Sequence, residues 1–191
     1  MADAATLVRA ARKSRGLTQQ RLAERARIDQ SRVSRSERGR DTDFSTVARL
    51  LAGAGHRLYS APTQRGDAAA AAAEIREHLR SGDRERALRA LLQLNDDLVA
   101  EHGLVRGVLG LAEPEPIGDP VWDAALAGLV AWRLREERLP DPQWVNLPER
   151  FHAVPSGLGV DPADPVPPLS EVPDAFAQRG VLAWRDTFES V

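Results

Sequence analysis

Gln30, Ser31, Arg32 and Arg35 lie within six residues of one another. Their side chains are the ones that trade hydrogen bonds with the edges of bases. An amide donates and accepts at once, a guanidinium presents a fork of donors, and a hydroxyl does either. None of the four stands in a pattern that would make it a nucleophile, so the chemistry on offer is recognition. The stretch has the marks of a helix: Asp29 is placed to cap it, Val33 is a thin apolar seam, and Gly39 can stop it in the left-handed C′ conformation. A helix that buries so little and shows so many donors and acceptors is poorly explained by packing. Readout in the major groove of DNA explains it well.

Something must hold that helix, and the preceding residues supply it. Thr18 can cap a helix whose first turn holds Gln19 and Gln20, and Leu22, Ala23 and Ala26 then fall on one buried stripe. Arg27 to Asp29 interrupt the stripe, with Ile28 able to plug the angle between two helices. Leu17, Thr18, Gln19, Leu22, Ala23, Ile28, Val33, Ser34, Glu37 and Gly39 together resemble the phage-repressor (Cro-like, XRE) helix-turn-helix family over roughly the first third of the chain. Two positions depart from its pattern. Arg27 stands where the family usually has the turn glycine, so a left-handed backbone there would cost about 1 kcal/mol. Ser36 stands where the family usually buries an aliphatic or aromatic residue, which implies a looser seat for the second helix.

The resemblance implies roles residue by residue. Gln30, Ser31 and Arg35 match positions that meet base edges, with Arg32 beside them; Gln30 suits adenine or bracing Gln19. Thr18 and Gln19, at the start of the first motif helix, match a phosphate site aided by the helix dipole, and Arg38 and Arg40 are placed for phosphates beyond the recognition helix. Arg12 matches an arginine that pairs with the motif glutamate, here Glu37.

Charge divides the chain in the same place. Net charge is only −2, yet residues 1–66 carry 14 basic and 6 acidic side chains, whereas residues 67–191 carry 12 and 22. A basic N-terminal module attracts phosphate, and an acidic remainder repels it. Only Lys13 among the 26 basic residues is lysine, a bias that looks like a GC-rich bacterial genome, so part of the arginine excess is genomic. The absence of cysteine excludes disulfides and thiolate metal sites and fits a bacterial cytoplasm. No apolar run approaches the length of a membrane span, and the N-terminus lacks a secretory hydrophobic core.

The pattern predicts a mainly α protein: an N-terminal four-helix, lambda-repressor-like helix-turn-helix domain over 1–62, a linker over 63–67, and an acidic, mostly helical interaction domain over 68–191 with a proline-rich wrapping segment. A first helix spans 5–15, and a fourth helix closes the small core with Phe44, Val47, Leu50 and Leu51. Residues 56–60 read as a short strand that either pairs with its copy across a dyad, making Arg57, Leu58 and Tyr59 dimerisation candidates, or pads its own domain. Residues 68–81 and a longer helix ending near His102-Gly103 form an αα-hairpin; 103–118 read as loop; Asp119-Pro120 starts another helix. Seven of the 13 prolines fall between 148 and 173, so that stretch wraps, and Pro173 to Arg179 suggests a short helix stopped by Gly180. All four tryptophans follow residue 120, which predicts a second core, a docking surface, or both.

Catalytic patterns are missing. His56, His78, His102 and His152 are scattered, so no metal or other cofactor is expected, and Asp96-Asp97 with Glu101 reads as solvated acids on a helix. The sequence offers no positive reason to expect an enzyme. Two functions remain: a dimeric transcriptional regulator, most simply an autorepressor, with double-stranded DNA as its partner, or the antitoxin of a toxin–antitoxin pair whose C-terminal half masks a protein toxin.

Overall fold

Aspartate and threonine side chains decide where most of the helices begin. In the computed structural model, which describes residues 3–58, 60–161 and 163–189, Asp3, Thr18, Asp43, Asp67, Asp83 and Asp119 each accept a hydrogen bond from a backbone N–H of the turn that follows. They start α1 (Ala4–Lys13), α2 (Gln19–Ala26), α4 (Phe44–Gly53), α5 (Ala68–Arg80), α6 (Arg84–Ala100) and α8 (Pro120–Glu136). Among the described residues the other α-helices are α3 (Gln30–Glu37), α7 (Gly103–Leu111) and the single turn α9 (Asp174–Ala177). Asp29 occupies the cap position of α3, but its side chain makes no capping hydrogen bond. The protein is mainly α, and its helices bury two separate apolar clusters.

The first cluster, the core of what we term the head, is built by Val8, Ala11, Leu22, Ala23, Ala26, Val33, Val47, Leu50, Leu51 and Ala54. Gly53 lets the end of α4 settle on α2, since a Cβ there would lie 3.1 Å from the Ala26 backbone nitrogen. One expectation fails here. Phe44 is 73% exposed, because it is the first residue of α4 and the Asp43 cap turns it away from the core that Val47, Leu50 and Leu51 fill. Residues 56–58 pair with no other segment within the single chain, and Leu58 packs against the head's own cluster. Tyr59 lies outside the described residues.

The second cluster is the core of the body, and α8 runs through its middle. Every residue from Trp122 to Ala131 is buried, so this helix is covered on all sides. α5 and α6 form the expected hairpin beside it. Residues 103–111, expected as loop, form α7. The helix owes its place to packing rather than propensity: Gly110 sits so close to α8 that a Cβ would meet Val130 Cγ1 at 2.8 Å. Arg106, 4% exposed, donates to the carbonyls of Val99, Glu101 and Arg133 at 2.7–3.1 Å. Asp97 is also not the solvated acid expected; it is buried and accepts from the backbone N–H of Gly66 at 2.8 Å.

Residues 137–161 and 163–189 wrap the body with little regular structure, so their carbonyls need partners other than a helix or sheet ladder. Buried side chains provide them. Arg179 donates to Ala175 and Val145, Arg133 to Phe188, Trp122 Nε1 to Leu158, and Trp144 Nε1 reaches Gly110 of α7. Trp132, Phe176 and Phe188 meet at ring-centroid distances of 5.0–6.2 Å. Tryptophans 122, 132 and 144 therefore serve a second core.

Candidate nucleic-acid interface

α2 and α3 meet across a turn that depends on one unusual backbone conformation. Arg27 is left-handed at φ 53°, and its strain is carried so that Ile28 N–H can reach the Ala23 carbonyl at 3.1 Å and redirect the chain. Ile28 then packs, half-buried, between the two helices. The residues that α3 buries against the head are Val33, Ser36 and Glu37, all at most 4% exposed. Ser36 is accommodated by polar contact, its hydroxyl accepting from Thr42 Oγ1 at 3.3 Å. The other side of α3 is open: Gln30, Ser31, Arg32, Arg35 and, just past its end, Arg38 are exposed, and no part of the body covers them.

A polar ladder runs from the buried side of α3 to that open side. Arg12 grips Glu37 with two bonds, Nε to Oε1 at 2.6 Å and Nη2 to Oε2 at 2.9 Å, and spends Nη1 on the Leu17 carbonyl. Gln19 Nε2 donates to Glu37 Oε2 at 2.9 Å, and Gln30 Nε2 donates to Gln19 Oε1 at 3.0 Å. Burial disfavours the Glu37 carboxylate, but the bonds from Arg12 and Gln19 and the charges of Arg12 and Arg9 outweigh it. They hold its carboxyl below the usual carboxylate range. The arrangement fixes α3 against α1 and α2 and presents two glutamines at the start of the exposed face.

The arginines differ in freedom. Arg35 bonds weakly to the Ser31 carbonyl through Nε at 3.3 Å and is otherwise exposed. Arg32 is drawn to the start of α4, where Nη2 lies 3.3 Å from Asp43 Oδ2 and 3.2 Å from Thr46 Oγ1. Asp43 itself is held well below the usual carboxylate range by hydrogen bonds from Ser45 and Thr46. The sequence reading missed Asp43, Thr46 and also Arg9, which donates to the Glu37 carbonyl; the Asp43 cap position was the only signal that could have found the first two. Thr18 Oγ1 accepts from Arg21 N–H at 3.1 Å, which places Gln19 at the N-terminus of α2, and Arg38 and Arg40 stay exposed beyond α3. Arg57 is exposed and Leu58 half-buried.

Two short helices set at an angle, the second with a bare polar face, decide the kind of module this is. Residues 8–54 match the helix-turn-helix family model, of the XRE type. The helix-turn-helix is a DNA-binding family, and the match supports a DNA-binding regulator. No curated protein and no solved structure matches the chain. Among the described residues no helix is long and apolar enough to cross a membrane, and no group of histidines and carboxylates is arranged to hold a metal.

Proposed function

We propose that the protein is a sequence-specific, double-stranded-DNA-binding transcriptional regulator that works as a homodimer and represses its own operon. The observation that carries this reading is the uncovered face of α3, with Gln30, Ser31 and Arg35 exposed and Gln30 braced through Gln19 by Glu37. In this reading residues 1–62 are the DNA-reading domain, 63–67 the linker, and 68–191 the part that receives a signal or stabilises the dimer. Arg35 reads guanine O6 and N7, Gln30 reads adenine, and Thr18, Gln19, Arg38 and Arg40 meet phosphates. One head spans only a few base pairs. Useful specificity therefore calls for two heads on a pseudo-palindrome with half-sites one helical turn, ~34 Å, apart.

Titration of the chain against its own upstream DNA at several salt concentrations tests the reading. Saturable binding that weakens steeply with salt and outlasts competitor DNA supports it, and equal affinity for unrelated duplexes overturns it.

One observation favours a second reading, an antitoxin whose body holds a toxin. Leu104, Val108 and Leu111 line one side of α7 and are 82%, 39% and 62% exposed, with no charged residue among them. Purification from the native host with a stoichiometric protein partner bound to the body would establish that reading over a free-standing regulator.

A further inference from the structure

The head and the body touch through charge. On α1, Arg9 and Lys13 stand one turn apart, and both reach the segment between α7 and α8: Lys13 Nζ donates to Glu113 Oε1, and Arg9 Nη1 pairs with Glu115. Glu115 lies between a cation of the head and one of the body, because Arg76 of α5 also pairs with it at 3.2 Å. Among the described residues no apolar cluster crosses the boundary: the head's cluster ends at Leu58 and the body's begins at Ala68. The helix pairs that pack extensively lie within α1–α4 or within α5–α9. The connecting chain is fastened at its body end, where Thr63 Oγ1 donates to Glu101 at 2.6 Å, Gly66 N–H donates to Asp97 at 2.8 Å and Arg65 pairs with Asp97 at 3.6 Å.

We infer that Glu113 and Glu115 form an electrostatic latch that holds the head in one orientation on the body through Lys13 and Arg9. Partly exposed ion pairs of this kind are weak and screened by salt, so the latch opens without unfolding either part. Arg9 gives it a route to the recognition helix. The same guanidinium that pairs with Glu115 also donates to the carbonyl of Glu37, the last residue of α3. Opening the latch therefore frees Arg9 and perturbs the end of the helix that the proposed function assigns to DNA. An acidic ligand or partner that competed for Arg9 and Lys13 would act at the same point.

The test is backbone nitrogen-15 relaxation on the full-length chain without DNA. At low salt, head and body amides share one rotational correlation time. In Glu113→Gln/Glu115→Gln, or in the parent at about 1 M salt where the screening length is ~3 Å, the head's correlation time falls about twofold as it begins to tumble separately. Lys13→Glu opens the latch, and adding Glu113→Lys closes it again. The amides of Arg38 and Gly39 shift when it opens. A head that stays locked in the double glutamine variant at high salt, or a charge swap that restores nothing, overturns the latch. Unshifted Arg38 and Gly39 amides overturn the coupling through Arg9. Because no DNA is present, these failures leave the DNA-binding reading standing, and a failed DNA titration leaves the latch standing.

Discussion

Gln30 and Gln19 are joined amide to amide at 3.0 Å, and the direction of that bond is set by a third residue. The Glu37 carboxylate can only accept, so Gln19 must turn its NH2 toward it and its oxygen toward Gln30. Gln30 then spends one N–H inward and keeps its carbonyl oxygen and second N–H for an outside partner. That is the donor and acceptor pair an adenine edge requires.

Gln30→Ala should lower affinity for the preferred operator by about 1–3 kcal/mol and erase the preference at one base pair per half-site. Gln19→Ala should weaken binding while blurring the same preference, because Gln30 loses its brace. Fluorescence anisotropy against operators substituted at each position checks both, and an unchanged preference profile in Gln19→Ala would show that the ladder does not orient Gln30.

Arg35 and Arg32 should part company. Arg35→Ala is expected to cost about 1–3 kcal/mol at a single base pair, the worth of a guanine contact. Arg32→Ala should cost less discrimination, since Asp43 and Thr46 already hold its guanidinium, and should lower head stability by at most about 1 kcal/mol, as for an exposed pair. Equal loss of discrimination in the two variants would place Arg32 on the bases.

Stability should depend on pH through Glu37. Its carboxyl titrates below the usual range in the folded head. A group depressed in this way contributes stability that is complete above its unfolded value, about 4.3 for glutamate, and that is lost as pH falls through the lower folded value. Melting curves between pH 7 and 3 should therefore fall more steeply for the parent than for Glu37→Gln. Parallel curves would mean that another carboxyl governs the acid limb.

Two left-handed glycines of the body should respond very differently to alanine. Gly82 has φ 78° with open space around it, so Gly82→Ala should cost about 1 kcal/mol of conformational strain alone. Gly180 has φ 69°, and a Cβ there would run into the carbonyl of His152, so Gly180→Ala should cost about 3 kcal/mol or more. Differential scanning calorimetry of the two variants should rank them in that order, with the head's transition unmoved.

Signals that act within a few residues were legible in the chain. Thr18 and Asp119 cap helices because a short side chain can reach back to the next turn, and Gly39 and Gly180 stop helices because they tolerate a positive φ. The ladder was legible in part, since Arg12 and Glu37 stood at recognisable places in a motif, whereas Arg9 carried no mark of its own. Phe44 misled because helical spacing counts apolar residues without saying which end of the stripe the cap turns outward. The glycines of α7 misled in the other direction. They look like loop residues until the helices pack, and at Gly110 the missing Cβ is what lets α7 approach α8.

The amino-acid order alone determined a mainly helical chain with a basic helix-turn-helix at its start, because caps, turns and apolar stripes are local and repeat with the helix period. Only the tertiary structure decided that Arg32 turns to Asp43, that Asp97 is buried beneath the linker, and that Glu113 and Glu115 reach Lys13 and Arg9. Those outcomes join residues on different elements, 11 or more positions apart, and no local pattern encodes which charge a folded surface will bring within reach.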